Sequence, residues 1–177
     1  MLNTMLTRLC QPVAALALLA LAAASALGVA LVAQYGFGLQ PCELCVYQRW
    51  PLLAVAVLCA AAALVLLARP RAVSLSSGAL ALAGALLLLD AGIAGFHVGV
   101  EQGWWEGTDS CTGPAGQAKT LAELKAQIMA TPIVRCDEVA FSLFGISMAG
   151  YNLIYCLVLA AFAGAAIRRR RAEMVAA

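Results

Sequence analysis

The sequence predicts an all-α membrane protein, a bundle of four transmembrane helices, and its composition and the distribution of its apolar residues support this. The chain has 177 residues, of which 64% are apolar and 11% charged, whereas a soluble domain has about 45–50% apolar and about 25% charged residues. The apolar residues form four long runs separated by polar segments. We therefore expect one membrane domain over residues 1–177. The net charge of +2 gives no indication of nucleic-acid binding.

Each apolar run is long enough to cross a membrane, because a helix rises 1.5 Å per residue and the hydrocarbon core is ~30 Å thick. The first run could instead be a cleaved signal peptide, since small residues occur at 22–26. It continues to Ala33, beyond the usual apolar segment of ~7–15 residues, which favours a span. The predicted spans are 12–33, 50–68, 72–98 and 141–167, joined on one side by the loops 34–49 and 99–140.

The second of these loops contains a predicted short amphipathic helix. Thr120 is followed three residues later by Glu123, the spacing of a capping box in which each side chain binds the other residue's backbone N–H. Leu121, Leu124 and Ile128 follow at helical spacing. We expect this helix to lie on the membrane surface, the alternative being a solvated helix that packs on nothing.

The distribution of positive charge predicts the orientation of the bundle. One side carries seven positive residues, namely Arg8, Arg69, Arg71 and the four arginines 168–171. The other side carries four, Arg49, Lys119, Lys125 and Arg135, among seven acidic residues. Because short cytoplasmic segments are enriched in Lys and Arg, both termini are predicted to be cytoplasmic and the loops 34–49 and 99–140 to face outward.

Four of the seven cysteines lie in the outward-facing loops, where disulfides persist. Cys42 and Cys45 form a C-x-x-C motif just before the second span, and Cys111 and Cys136 lie far apart in the long loop. The other three, Cys10, Cys59 and Cys156, lie at the cytoplasmic edge or within spans. There the expected role is apolar packing.

The residues alone leave three interpretations of the outer cysteines open. Two structural disulfides are possible, and a bridge between Cys111 and Cys136 would usefully constrain its loop. A bridge between Cys42 and Cys45 would constrain almost nothing. A zinc site with four thiolates is disfavoured by the wide spacing of the second pair. An electron relay is the third interpretation, since a C-x-x-C motif is a common reactive thiol pair.

Other polar residues near the outer ends of the spans are candidates for a site. Asp90, His97 and Glu101 fall within about 40° on one helical face, and such residues must face protein or water. His97, the sole histidine, titrates near neutral pH and is a candidate proton carrier, or else a packing residue. Arg49 follows Cys45 by four residues and is a further candidate for the site. Alternatively, it is an ordinary interfacial arginine whose side chain extends to water.

These motifs, taken together, resemble the disulfide bond formation protein B (DsbB) family. The resemblance covers nearly the whole chain and is carried by the C-x-x-C followed by Gln48 and Arg49, the run His97 to Glu101, Trp104 and Trp105 ahead of Cys111, and Cys136 and Asp137 ahead of the Phe-Gly-Ile-Ser-Met-Ala segment. Vitamin K epoxide reductase-like proteins share the chemistry, but they carry their C-x-x-C after the loop pair.

The resemblance implies a thiol–disulfide oxidoreductase of the bacterial inner membrane that reoxidises a DsbA-like, thioredoxin-fold thiol oxidant of the periplasm. It implies that the Cys111–Cys136 disulfide takes electrons from this partner, with Cys111 as the partner-bound sulfur. Cys42 and Cys45 then regenerate the loop disulfide, and Cys45 passes the electrons to ubiquinone or menaquinone. No metal is expected.

Three side chains near the C-x-x-C are the candidates for binding the quinone, namely Arg49, His97 and Glu101. The guanidinium of Arg49 is expected to stabilise both the Cys45 thiolate and the reduced quinone oxygen, because a positive neighbour favours a thiolate. His97 is expected to support the uptake of protons during quinone reduction.

Overall fold

The computed structural model describes residues 11–69, 74–108, 111, 120–130 and 134–176. Four residues used in the predictions, Arg8, Cys10, Arg71 and Lys119, lie outside these ranges. In chain order the elements are α1 Pro12–Gly36, α2 Glu43–Ala68, α3 Ser74–Glu101, α4 Leu121–Ala130, β1 Ser142–Leu143, β2 Ile146–Ser147 and α5 Met148–Ala176.

Four helices, α1, α2, α3 and α5, are long and apolar enough to cross a membrane, which confirms the predicted all-α membrane fold. Helix α2 packs between α1 and α3, and α3 packs against α5, whereas α1 and α5 contact each other only slightly. Leucine, alanine and cysteine side chains fill the buried core, including Leu16, Leu19, Val55, Cys59, Leu80 and Leu87. Many other large apolar side chains of these helices are exposed, as lipid-facing positions require.

Helix α2 begins at Glu43, seven residues before the predicted span. Cys42 is the N-cap residue, and its sulfur accepts a hydrogen bond from the backbone N–H of Cys45. A side-chain acceptor at this position satisfies an N–H group that the helix cannot satisfy internally. The first loop is therefore shorter than predicted, and the C-x-x-C motif belongs to the start of a helix.

Helix α5 begins at Met148, seven residues after the predicted start at Phe141, because a two-stranded hairpin precedes it. Phe144 and Gly145 have φ angles of 51° and 78°, and two consecutive left-handed residues form the tight turn that suits a hairpin. At its other end α5 continues through the arginines to Ala176. The guanidinium of Arg170 is buried there, bonded to the hydroxyls of Ser76 and Ser77.

The short helix of the second loop, α4, has the predicted capping box. The backbone N–H of Thr120 donates to Glu123 Oε2 at 3.0 Å, and the N–H of Glu123 donates to Thr120 Oγ1 at 3.2 Å. Leu121 and Met129 are 83% and 78% exposed. The capping prediction is confirmed, and the placement of α4 on the membrane surface stays a prediction.

Candidate functional site

The C-x-x-C motif forms the first turn of α2 as a pair of free thiols. The Cys42 and Cys45 sulfurs lie 3.1 Å apart, within hydrogen-bond distance, and the Cys45 backbone N–H donates to Cys42 Sγ at 3.4 Å. The hydrogen bond from the Cys45 thiol is the main cause of a pKa of Cys42 far below that of an ordinary cysteine, and it outweighs the opposing effect of burial. Hydrogen bonds from the Cys45 backbone N–H and from His97 lower the pKa of Cys42 as well.

His97 lies over the same sulfur, on the third span. Its Nε2 atom is 3.5 Å from Cys42 Sγ and 3.8 Å from Glu101 Oε1. Glu101 in turn accepts a hydrogen bond from the hydroxyl of Ser147 at the end of the hairpin. Asp90, His97 and Glu101 all point into the bundle, as the helical periodicity predicts, but only His97 and Glu101 lie beside the thiols.

Asp90 is fully buried one level deeper and connects to His97 through two amide side chains. Its Oδ2 accepts hydrogen bonds from Asn152 Nδ2 and the Cys156 thiol, both at 3.2 Å. Asn152 Nδ2 also donates to Gln48 Oε1 at 2.8 Å, and Gln48 Nε2 lies 3.0 Å from His97 Nδ1. Asp90 is thus a hydrogen-bonded residue in a polar network that crosses three helices.

Gln48 and Asn152 are the residues of this site to which the sequence analysis assigned no role. Gln48 entered it only as part of the family motif, and Asn152 did not enter it at all. Both residues could have been found by the reasoning that identified Asp90, because a polar side chain in an apolar span has to face protein. Neither residue could be paired with His97 from the sequence, because the contacts depend on how three helices are rotated against one another.

Arg49 borders a cavity of about 510 Å³ that also exposes the C-x-x-C motif, His97 and Glu101. Its guanidinium donates to Gln34 Oε1 at 2.7 Å, whereas Arg49 Nε is buried and has no hydrogen-bond partner among the described residues. The walls contributed by α1 and the first loop are mainly apolar, and include Ala26, Val29, Ala30, Ala33 and Leu39. An apolar cavity with an unused guanidinium donor fits an apolar molecule that carries a carbonyl oxygen.

The loop cysteines form the disulfide Cys111–Cys136. Both residues are fully buried, and the backbone N–H of Cys136 donates to the carbonyl of Cys111 at 3.0 Å. They share one buried apolar cluster with Cys42, Leu44 and Val100, against which Cys45 also packs. The two cysteine pairs, 66 residues apart between Cys45 and Cys111 in sequence, are thus neighbours in the fold.

Cys42, Cys45 and His97 also offer one potential metal-ligand atom each within 4.8 Å of one another. Two thiolates and an imidazole can bind zinc with an open fourth position. Closing a disulfide between the two cysteines would remove both sulfur ligands. A resident metal is therefore incompatible with a C-x-x-C motif that works as a redox pair, and the expectation of a metal-free site stays a prediction.

The sequence of this chain matches a known protein family. A family model described as disulfide bond formation protein DsbB matches residues 12–166. The chain belongs to the DsbB family. It is therefore a multi-pass membrane protein with a role as a thiol–disulfide oxidoreductase, which confirms the family predicted from the motifs.

Several individual proteins are similar to this DsbB-family chain over most of their length. Disulfide bond formation protein B of Chromohalobacter salexigens is 34% identical over 153 residues, covering 81% of this chain and 86% of that protein. The protein of the same name from Neisseria meningitidis serogroup A is 34% identical over 137 residues, covering 73% and 79%. Uncharacterized protein RP370 of Rickettsia prowazekii is 29% identical over 141 residues, 78% of each chain. No solved structure matches the chain.

Proposed function

We propose that this DsbB-family protein reoxidises a DsbA-like, thioredoxin-fold dithiol protein of the bacterial periplasm and passes the electrons to ubiquinone or menaquinone. The observation that carries the proposal is the single buried cluster that brings Cys42 and Cys45 together with Cys111 and Cys136. Disulfide exchange needs such contact, because a thiolate must attack a sulfur of the other pair directly. Family membership favours this activity over a scaffold with two structural disulfides.

The first step is exchange between the partner and the loop disulfide. A partner thiolate attacks Cys111 Sγ, which forms a mixed disulfide and releases Cys136 as a thiolate. The second partner thiol then attacks the partner's own sulfur in the mixed disulfide and releases Cys111. The partner leaves as a disulfide, and the loop pair holds the two electrons as a dithiol.

The second step transfers these electrons to the C-x-x-C motif by the same chemistry. The loop dithiol reduces a Cys42–Cys45 disulfide and closes Cys111–Cys136 again. The redox state in the structure, a loop disulfide beside a C-x-x-C dithiol, corresponds to the end of this step.

The residues around the cavity fit a quinone as the electron acceptor. A bound quinone supplies a site for two electrons and two protons, and it draws electrons from the dithiol because of its higher potential. The guanidinium of Arg49, which borders the cavity, can donate to a carbonyl oxygen, and the apolar wall from α1 can hold the ring and its tail. His97 and Glu101 lie beside the cysteines, where they can hold protons close to the reaction.

The charge distribution supports an inner-membrane location with both termini in the cytoplasm. In this orientation the arginines at the ends of α2 and α5 are cytoplasmic, and the C-x-x-C motif, the loop disulfide and α4 face the periplasm. A cysteine-accessibility map of intact cells tests the orientation. Labelling of Cys42 or Cys111 from the cytoplasmic side would overturn both the orientation and the proposed oxidase.

The electron path is tested with purified protein by measuring partner oxidation and quinone reduction separately. Cys45→Ser should abolish steady quinone reduction while allowing at most one equivalent of partner to be oxidised by the loop disulfide. Cys59→Ser is the matched control, because Cys59 is buried in the apolar core, away from the cavity. Multiple-turnover quinone reduction by the Cys45→Ser variant would show that electrons bypass the C-x-x-C motif.

A further inference from the structure

A continuous chain of hydrogen bonds leads from the membrane interior to the C-x-x-C motif. It begins at Asp90 on α3, passes through Asn152 on α5 and Gln48 on α2, and reaches His97 on α3. The solvent-exposed fraction is 0% for Asp90, 6% for Gln48 and 2% for His97. Buried amides in an apolar bundle are costly unless each donor has an acceptor. The direction of every bond is therefore informative.

Asn152 fixes the first part of the chain. Its Nδ2 atom approaches two oxygens, Gln48 Oε1 at 2.8 Å and Asp90 Oδ2 at 3.2 Å. An amide nitrogen has two hydrogens and can serve both oxygens, whereas an amide oxygen in that position has none to give. The Asn152 oxygen faces the opposite way, toward the Cys156 thiol at 3.6 Å. The anchor at Asp90 thus orients the Asn152 amide.

The orientation of Asn152 determines that of Gln48, and Gln48 determines the tautomer of His97. Because Gln48 Oε1 accepts from Asn152, Gln48 Nε2 is the atom that faces His97 Nδ1, 3.0 Å away. An amide nitrogen is only a donor. Nδ1 must therefore accept, which means that it carries a lone pair and that the single proton of the neutral imidazole is on Nε2.

The other side of the imidazole presents only acceptors. Nε2 lies 3.5 Å from Cys42 Sγ and 3.8 Å from Glu101 Oε1, and the backbone of Cys136 also contacts the ring. A proton on Nε2 therefore points at the sulfur of Cys42, one of the two thiols of the reduced pair. The Nδ1–H tautomer would place a ring hydrogen against an amide hydrogen of Gln48. It would also place a ring lone pair against a sulfur lone pair of Cys42.

We propose that Gln48 and Asn152, anchored by Asp90, are positioning residues that hold His97 as its Nε2–H tautomer and aim this proton at Cys42. The importance of that proton rests on the proposed function, in which Cys42 and Cys45 cycle between dithiol and disulfide. The tautomer itself depends only on the network. Which ring nitrogen of a catalytic histidine is protonated is set by the hydrogen bond at the other nitrogen.

The sole histidine of the chain makes the tautomer directly measurable. Full-length protein is labelled with [¹⁵N]histidine, purified through a tag that lacks histidine, and studied reduced in nanodiscs by long-range ¹H–¹⁵N correlation, which distinguishes Nδ1 from Nε2. We expect a protonated Nε2 and an unprotonated Nδ1 in the wild type. A protonated Nδ1, in the neutral or the doubly protonated ring, would overturn the proposal without any variant.

Three variants test whether the network sets the tautomer. Gln48→Glu places an acceptor against Nδ1, and Asn152→Asp removes the donor that holds the Gln48 oxygen, so both should move the proton to Nδ1. Asp90→Asn keeps an oxygen acceptor for Asn152 and should retain the wild-type spectrum. An unchanged spectrum in both Gln48→Glu and Asn152→Asp would overturn the positioning role.

Quinone reduction is measured on the same samples to separate this inference from the proposed function. The expected tautomer in a wild-type protein that reduces no quinone would contradict the proposed function and leave the positioning role intact. The opposite result, normal quinone reduction with the proton on Nδ1, would contradict the positioning role alone.

Discussion

The two cysteine pairs of this DsbB-family protein are neighbours, but they are fixed in different ways. Cys42 and Cys45 form the first turn of a membrane helix, and a network of buried side chains from three helices leads to them. Cys111 and Cys136 lie in a loop between helices. Among the described residues, they are joined to each other by the disulfide and by one hydrogen bond between backbone groups. The first pair is therefore positioned by a polar network, and the second by its disulfide, a backbone hydrogen bond and the apolar cluster that it shares with the first pair.

The burial of the two pairs differs from the expectation about which pair a soluble partner can reach. From the sequence, the loop pair is the one that a soluble partner reaches, while the C-x-x-C motif is confined between spans. In the structure Cys111 and Cys136 are fully buried, whereas Cys45 is partly exposed and borders the cavity. If a partner exchanges with Cys111 as proposed, this buried disulfide has to become accessible first, whereas Cys45 already borders the cavity.

The largest expected effect is that the partner is trapped as a mixed disulfide by the loop pair and not by the C-x-x-C pair. In Cys136→Ser, the Cys111 thiolate can attack the disulfide of an oxidised partner, forming a mixed disulfide and releasing the partner's other sulfur as a thiolate. Because Cys136 is absent and cannot displace the partner from Cys111, this adduct should accumulate. Cys45→Ser should yield little adduct, because its loop disulfide can still complete the exchange. Non-reducing electrophoresis followed by mass spectrometry of the linked peptides measures both. An adduct through Cys42 would reverse the roles of the two pairs.

The second prediction concerns the electron acceptor at the C-x-x-C motif. Arg49→Gln should raise the apparent KM for quinone by roughly tenfold, because losing a hydrogen bond from a charged group costs about 1.5 kcal/mol. Exchange between the partner and the loop pair should continue at the wild-type rate. Steady-state kinetics over a range of quinone concentrations tests this, with Arg69→Gln at the C-terminal end of α2 as the control. An unchanged KM would leave Arg49 as an interfacial residue bonded to Gln34.

The third prediction concerns the pH dependence of the Cys42 thiol. The hydrogen bond from Cys45 lowers the pKa of Cys42, so its thiolate persists as the pH falls from 8 to 6. An ordinary thiol, with a pKa of about 8.5, loses nearly tenfold of its thiolate per pH unit in this range. Alkylation of Cys42 in the reduced protein, followed by mass spectrometry, should change less than about twofold.

Removing the donor supplies the matched control for that measurement. Cys45→Ala deletes the thiol that is the main cause of the lowered pKa, so the alkylation rate of Cys42 should regain a steep dependence on pH. A steep dependence already present in the wild type would mean that the Cys42 thiolate is not stabilised in the reduced pair. The contrast between a pre-organised pair and a covalently held pair would then be lost.

The same contrast explains what the sequence could predict. Local rules act along one helix, and they identified the spans, the capping box of α4 and the shared face of Asp90, His97 and Glu101. The start of α2 was placed too late because a cysteine served as the N-cap, a role more often filled by Ser, Thr, Asp or Asn. The start of α5 was placed too early because Phe144 adopts a left-handed conformation that is unusual for an aromatic residue.

The missing parts of the site are those that require tertiary contacts. The family motif supplied Cys42, Cys45, Arg49 and the loop pair, but not the role of Gln48 or the presence of Asn152 beside it. Cys156 packs in the apolar core as predicted, and its thiol also donates to Asp90, which was not predicted. These contacts join residues between 49 and 104 positions apart, and no periodicity along a single helix specifies them.

The smallest expected effect is at the polar pair beside the loop disulfide. Arg135 donates two hydrogen bonds to Asp137, at 2.9 and 2.6 Å, and this contact lowers the pKa of Asp137. A carboxyl group whose pKa is lowered by folding stabilises the protein when the pH is above its pKa in the unfolded state. This stability is lost as the pH falls through its pKa in the folded state. The two side chains are 37% and 33% exposed to solvent, and solvent screening at such positions leaves an ion pair a small contribution.

Asp137→Asn should therefore leave the melting temperature and the rate of partner oxidation at neutral pH within experimental error. Thermal unfolding and stopped-flow exchange with the partner measure the two quantities, and Asp137→Glu, which retains the charge, is the matched control. A marked loss of partner oxidation in Asp137→Asn, restored in Asp137→Glu, would mean that the charge of this pair positions Cys136. The loop pair would then depend on polar side chains much as the C-x-x-C motif does.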